Sequence, residues 1–326
     1  MPLVATAELV AAARAAGRGV AAFNVITLEH AEAIAAGAEA TGRPAVLQVS
    51  QNAVRFHGGR LGPLAAAMAE VAHAADVPLA LHLDHVTSVE LLRSAPAHGF
   101  GSVMFDASAL PYARNVAATA DAVRWGHEHG VWVEAELGRV GGKDGEPPLD
   151  AHAPGVRTDP EEAAGYAAAT GVDALAVAVG SSHAMTERTA ALDHGLIRRL
   201  RRAVPVPLVL HGSSGVPDAE LRRAVTAGMV KINIGTALNT AFTGAVRAHL
   251  AGHPGVVDPR RYLAPARDAM ARTVAHFIGL LDGEAAAADG TAPEPSANTA
   301  GTGNAAGTRT GNGNAAGDPV TADGGS

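Results

Sequence analysis

Three histidines, His85, His183 and His211, stand at the ends of three separate apolar runs in a chain of 326 residues that contains no cysteine. Without thiolates, imidazole and carboxylate are the strong ligands that remain for a transition metal. Three imidazoles brought to one point suit catalytic zinc, which takes about three protein ligands and keeps a position open for substrate. A lone histidine is more often a satisfied core or surface group, and this chain has 15 of them, so the case rests on shared placement. His30, His57, His73, His98, His127, His129, His249 and His276 fall mostly in helical or loop stretches and carry no such expectation. Asp84, directly before His85, is placed to carry protons beside a metal-bound substrate. The competing reading is that it orients a histidine or caps a helix. Glu134 and Glu136 are two residues apart on one face of an extended run and, with Asp106, offer oxygen ligands to a cation. Structural ion pairing competes with that reading for each of them. Two small-residue turns, HGSSG (His211–Gly215) and NIGT (Asn233–Thr236), each lead from an apolar run into a helical stretch. Backbone N–H groups at such helix starts hold anions, phosphate above all.

Groups so far apart in sequence need a scaffold that gathers them. Eight β-rich runs supply it: Gly19–Ile26, Pro44–Ser50, Pro78–Asp84, Gly101–Asp106, Val131–Glu136, Ala174–Val179, Pro207–Gly212 and Met229–Ile234. Between them lie stretches rich in Ala, Leu and Glu, such as Leu61–Ala75, Pro111–His129, Asp159–Thr170 and Pro217–Ala227, which favour helix. Runs that are apolar almost throughout fit strands buried on both faces, and the alternation fits βα units around a parallel sheet. The prediction is an α/β fold closed into a (β/α)8 TIM barrel, one domain over residues 1–282. Polar residues cluster at the C-terminal ends of these strands. Asn24, Gln48, Ser50, Asp84, His85 and Asp106 end the first four, and Glu134, Glu136, His183, His211 and Asn233 end or follow the others. In a barrel those ends meet at one mouth, where active sites are built, with phosphate commonly bound after strands seven and eight. Thr236–Leu250 and Asp258–Leu281 read as extra C-terminal helices, the second with Met270, Val274, Phe277 and Ile278 along one face. From residue 283 to 326 the composition collapses to Gly, Ala, Asn, Thr and Asp without apolar periodicity, which predicts a disordered low-complexity tail.

The net charge of -7 and the lack of a basic stripe exclude nucleic acid as the main partner. Glu8, Arg14 and Arg18 interrupt the alanine-rich N-terminus, which therefore lacks the three-part pattern of a secretory signal. No apolar run approaches the roughly 18 residues of a membrane span. The expectation is a cytoplasmic protein with no membrane partner.

Seven strings in order carry a family resemblance: AFNV (Ala22–Val25), LHLDH (Leu81–His85), SVMFDAS (Ser102–Ser108), EAELGRVGG (Glu134–Gly142), VAVGSSH (Val177–His183), LVLHGSSGVP (Leu208–Pro217) and VKINIGT (Val230–Thr236). Together they resemble the class II fructose-bisphosphate aldolases, including their tagatose-bisphosphate relatives, over roughly Leu3 to Leu281. The resemblance implies a zinc-dependent lyase of carbohydrate metabolism, in glycolysis. It would reversibly cleave a ketose 1,6-bisphosphate, with fructose 1,6-bisphosphate first among candidates, to dihydroxyacetone phosphate and an aldehyde phosphate. It also implies that His85, His183 and His211 hold the zinc and that Asp84 exchanges the proton on the C4 oxygen. Asp106 and Glu136 match positions associated with a second divalent or a monovalent cation. Dihydroxyacetone phosphate would be held by Gly212, Ser213 and Ser214, by Asn233, Ile234, Gly235 and Thr236, and by the backbone at Ala184. Asn24, Gln48 and Ser50 match polar positions around the same mouth. Arg260, in DPRRY, resembles an arginine that reaches the distal phosphate, often in a neighbouring subunit, so a homodimer or homotetramer is expected.

Three positions depart from the family pattern. Ala184 follows His183 where the family has glycine, Ala107 replaces a glycine after Asp106, and the loop from Gly141 to Glu146 offers Asp144 or Glu146 as the C–H base. Pro147 and Pro148 stiffen that loop. Four other readings stay open at this level. They are a tagatose-bisphosphate or other ketose-phosphate aldolase, a class I mechanism with Lys231 as Schiff-base nucleophile, a non-catalytic sugar-phosphate-binding protein, and another metal-dependent barrel lyase or hydrolase.

Overall fold

The computed structural model describes residues 3–142 and 156–282. The strands are β1 (Val20–Asn24), β2 (Ala45–Ser50), β3 (Leu79–Val86), β4 (Ser102–Phe105), β5 (Trp132–Leu137), β6 (Ala174–Val177), β7 (Leu208–Leu210) and β8 (Met229–Ile234). All pair in parallel, in chain order, and β8 returns to β1, so the barrel closes. Each strand begins at the predicted residue or one beyond it. Pro44, Pro78 and Pro207 sit immediately before β2, β3 and β7, where a missing N–H costs the ladder nothing. The expected tail, 283–326, and the candidate bases Asp144 and Glu146 lie outside the described residues.

The period of two along each strand divides the apolar side chains between two shells. Phe23, Leu47, Leu83, Val133, Leu175 and Ile232 face outward into a continuous layer beneath the helices. Val20, Ala22, Val46, Ala80 and Val230 form an inner cluster with Leu9 and Val10. Those two residues belong to an N-terminal helix, Thr6–Ala16, which lies outside the predicted elements. The barrel interior is therefore apolar where it meets this helix, and it turns polar toward the mouth.

The C-terminal helices are Thr236–Gly252 and Arg260–Leu281. Met270, Val274, Phe277 and Ile278 are buried, as their spacing predicted. The second helix packs on Leu28–Thr41 at Gly37, where a Cβ would lie 2.6 Å from both Ala271 O and Val274. Among the described residues no helix is long and apolar enough to cross a membrane.

Candidate active site

Neighbouring residues of a regular strand point to opposite faces, which would separate Asp84 from His85. Strand β3 escapes this rule at its end. Leu83 pairs with Val103 and Val86 with Phe105, so β3 carries one residue more than β4 across the same step. Within that bulge His85 adopts φ +49, a left-handed conformation that costs a non-glycine residue roughly 1–2 kcal/mol. Both side chains consequently reach the same mouth.

His85 meets two other imidazoles there. Its Nε2 lies 3.1 Å from His211 Nδ1, and the His183 ring centroid is 5.0 Å from that of His85 and 5.6 Å from that of His211. One ligand atom from each of His85, His183, His211 and Glu136 falls within 4.8 Å of the others. Zinc–nitrogen bonds of about 2.0–2.1 Å in a tetrahedron space the nitrogens about 3.3 Å apart, so this donor set fits a zinc-sized cation in both chemistry and spacing. Asp106 stands behind the cluster. Its Oδ2 is 2.9 Å from His85 Nδ1, and its Oδ1 accepts hydrogen bonds from Ser108 N (3.1 Å) and Ser108 Oγ (2.6 Å). With both oxygens engaged, this carboxylate turns His85 Nε2 toward the cluster, the arrangement that fixes the tautomer of a metal-binding imidazole. Asp106 is not among the four residues whose ligand atoms gather.

The carboxylates shape the electrostatics. Burial would by itself lower the His85 pKa, but Asp84, Asp106 and Glu136 push it up to about 9. Burial raises the Asp84 pKa, with His85 and Lys231 acting against the rise. Below about pH 9 a cation must displace the His85 proton, so metal affinity should climb with pH and level off above that value. Calorimetry in buffers of different ionisation enthalpy at neutral pH should register release of about one proton per metal bound. Uptake with no pH dependence and no proton release would contradict this charge state.

A cavity of about 610 Å³ opens above the cluster. Of the zinc, cation, proton-carrier and substrate residues that the family resemblance names, all but four line it; the exceptions are His211, Glu136, Ile234 and Arg260. His211 and Glu136 are fully buried beneath it, and Ile234 packs in the outer core. Arg260 lies elsewhere, 88% exposed and paired with Asp258 at 2.8 Å. A separate recess of about 780 Å³ beside Arg260, His249 and His253 contains none of the clustered ligands.

Two turns form one side of the cavity. Gly212 has φ +68, and a Cβ there would lie 2.5 Å from the Ser182 carbonyl, so this backbone path requires glycine. Ser214 Oγ accepts a hydrogen bond from Ala237 N (3.0 Å), which ties the Ser213–Gly215 turn to the start of the helix Thr236–Gly252. Two helical starts thus converge, as phosphate binding needs. Ala184, next to His183 in the cavity lining, has φ +57. An Ala184→Gly variant should relieve left-handed strain of roughly 1–2 kcal/mol, less about 0.4–1 kcal/mol for the freer unfolded chain. A melting temperature unchanged or up by a few degrees is expected, and a clear fall would show that the methyl group packs usefully.

On the other side, Gln48 Nε2 donates to Asn24 Oδ1 (2.8 Å) and Asp84 Oδ2 (3.3 Å). Asp84 Oδ1 accepts no hydrogen bond among the described residues, which leaves it for a substrate proton. Ser50 Oγ accepts from Ala53 N and caps the short helix Gln51–Phe56. That helix brings Gln51, Asn52, Arg55 and Phe56 to the cavity, residues that strand-end reasoning missed. Gln51 also holds the loop after β3 through Thr87 N (2.9 Å). The Ser50 cap was the available sequence signal, but a helix of six residues is too short for periodicity to reveal.

Lys231 does not line the cavity. Its Nζ lies 2.9 Å from Glu134 Oε2 and donates to Asn233 Oδ1 at 2.8 Å, with both charged side chains fully buried. An ion-paired ammonium beneath the mouth is a poor Schiff-base nucleophile, since that role needs a free amine in contact with substrate.

Residues 4–285 match the family model described as Fructose-bisphosphate aldolase class-II. The chain is 40% identical over 277 residues to the fructose-bisphosphate aldolase of Geobacillus stearothermophilus, covering 84% of this chain and 95% of that relative. It is 38% identical over 295 residues to the fructose-bisphosphate aldolase of Thermus caldophilus, covering 83% and 95%. Its fold matches the crystal structure of the YdjI aldolase from Escherichia coli K12 with a TM-score of 0.74 and 32% identity, over 87% of this chain and 99% of that one.

Proposed function

Because the chain belongs to the class II fructose-bisphosphate aldolase family and is an aldehyde-lyase on a closed barrel, we propose that it is a zinc-dependent aldolase reversibly cleaving fructose 1,6-bisphosphate to dihydroxyacetone phosphate and an aldehyde phosphate. The observation that carries the proposal is the gathering of His85, His183, His211 and Glu136 ligand atoms within 4.8 Å, at the mouth that also presents Asp84. His85, His183 and His211 would hold the zinc, and Glu136 is close enough to complete the set. A divalent ion there supplies Lewis-acid polarisation of the ketone and stabilises the negative charge that develops during cleavage.

The chain's own groups do the rest. Asp84, with Oδ1 available, takes the C4 hydroxyl proton as the C3–C4 bond breaks, and returns it to the aldehyde oxygen in the reverse direction. Burial favours its neutral form, which strengthens it as a base for that proton. Gln48 holds the other carboxylate oxygen and so fixes the direction from which the proton arrives. The helical starts at Ser213 and Thr236 bind the phosphate of the dihydroxyacetone half. Asp144 or Glu146 is assigned the C–H proton. Arg260, exposed and remote from its own cavity, suits a distal phosphate in a neighbouring copy.

A coupled assay with ketose mono- and bisphosphates, run with and without chelator, tests the proposal. Fructose 1,6-bisphosphate should be turned over best, activity should vanish with EDTA and return with zinc, and borohydride should trap no adduct. Preference for the tagatose epimer would move the substrate assignment. Full activity in EDTA would end the metal assignment.

A further inference from the structure

Lys231 and Glu134 are fully buried, ion-paired and absent from the cavity lining, and the proposed chemistry uses neither. A buried pair of this kind is weak grounds for added stability, because two desolvated charges often contribute no more than apolar residues of the same volume. Its geometry toward His211 is more specific. The two Glu134 oxygens divide their partners, with Oε2 2.9 Å from the Lys231 ammonium and Oε1 3.0 Å from His211 Nε2. On the other edge of the same ring, Nδ1 lies 3.1 Å from His85 Nε2 and 3.6 Å from Glu136 Oε2, and so faces the ligand cluster.

A neutral imidazole has one N–H and one lone pair, and its partners decide which nitrogen carries which. At Nε2 two groups compete. Asn233 Nδ2, 3.1 Å away, would donate to a lone pair there, which would put the proton on Nδ1 and block the ring as a ligand. A carboxylate at Glu134 can only accept, which requires a proton on Nε2 and leaves the Nδ1 lone pair facing the cluster. Lys231 weights that competition toward Glu134. Its ammonium, 2.9 Å from Oε2, favours Glu134 as a carboxylate that can only accept, while its hydrogen bond to Asn233 Oδ1 leaves the amide nitrogen toward the ring, so the charge-assisted contact with Glu134 outweighs the neutral one with Asn233.

We infer that Lys231 and Glu134 are positioning residues that lock His211 in the Nε2–H tautomer and thereby present Nδ1 to a divalent cation. The inference rests on the reading of His85, His183 and His211 as metal ligands. It gives a function to the lysine that the sequence offered only as a nucleophile. His82, also fully buried, hydrogen-bonds Ser102 Oγ at 2.9 Å through Nδ1 and belongs to the same polar layer without reaching the cluster.

The test uses the full chain with ¹⁵N-labelled histidine, zinc alone as the probe, and no sugar phosphate. Two variants are compared with the parent: Glu134→Gln, and the double variant Glu134→Gln with Lys231→Met, which removes both charges at nearly constant volume and guards against a folding failure caused by one unpaired charge. In the parent, imidazole ¹⁵N chemical shifts should report His211 protonated at Nε2. In both variants that signature should be lost or mixed, and the zinc dissociation constant, measured by competition with a chromogenic chelator, should rise about 10–100-fold. A double variant that melts cooperatively yet keeps the parental tautomer and a dissociation constant within about twofold would overturn the inference, since the pair would then only fill space. Failure of the aldolase reading would look different: the parent would bind zinc with the stated tautomer and cleave no ketose phosphate.

Discussion

Replacing His211 with alanine should yield a folded barrel that neither retains zinc nor cleaves ketose bisphosphate. His211 is central to the cluster: its Nδ1 is 3.1 Å from one prospective ligand and 3.6 Å from another. Two imidazoles and a carboxylate remain without it, but they are spaced around the vertex that His211 Nδ1 occupies, so the remaining set is left incomplete and off-centre for zinc. Lewis-acid stabilisation contributes several kcal/mol to such a transition state, so the rate should fall by about 10³-fold or more. The fold should tolerate the change less well than a surface site would, because Glu134 Oε1 loses its imidazole partner in a dry interior, a cost of about 1–3 kcal/mol. Metal content after dialysis and a coupled assay are the measurements. A variant that keeps one zinc per chain would remove His211 from the ligand set.

Asp84→Ala should separate chemistry from metal binding. The carboxylate lies outside the cluster of four ligand atoms, so zinc content should match the parent. The rate should drop by about 10²–10⁴-fold, as expected when a positioned proton carrier is removed, mainly in kcat because the phosphate-binding turns are untouched. Removing Asp84 also takes away the largest influence raising the His85 pKa, so zinc uptake should lose part of its dependence on pH. Zinc loss as complete as in His211→Ala would contradict the role given to Asp84 and make it a structural support for the metal.

These two variants probe residues that the sequence exposes readily. Strand positions are legible because burial on both faces leaves almost unbroken apolar runs, so a polar residue ending such a run stands out. Asp84, His85 and His211 are of this kind. Other features depend on information that a one-dimensional pattern holds only weakly. The bulge at His85 is a matter of pairing against β4, and nothing in LHLDH announces it. Asp106 has the type and place of a ligand, but its contacts with His85 and Ser108 depend on the rotation of the His85 ring, which no local pattern encodes. Arg260 sits on a helix start whose position relative to the cavity no local pattern encodes. The polar layer beneath the mouth could have been found. His82 with Asp84, Glu134 with Glu136, and Lys231 with Asn233 are each two residues apart on their strands, and a period of two places both members of each pair inside the barrel. Two stacked polar layers follow, of which the strand-end argument used only the upper.

The left-handed residue in β3 has a mechanical consequence. One peptide unit joins His85, the proposed anchor of the ion, to Asp84, the proposed proton carrier, and that unit sits in a sheet closed around its full circumference. Loops over the mouth can open, close or exchange in evolution while this spacing stays constant. Substrate range is then free to vary at the rim, while the distance that the reaction depends on stays set by covalent geometry.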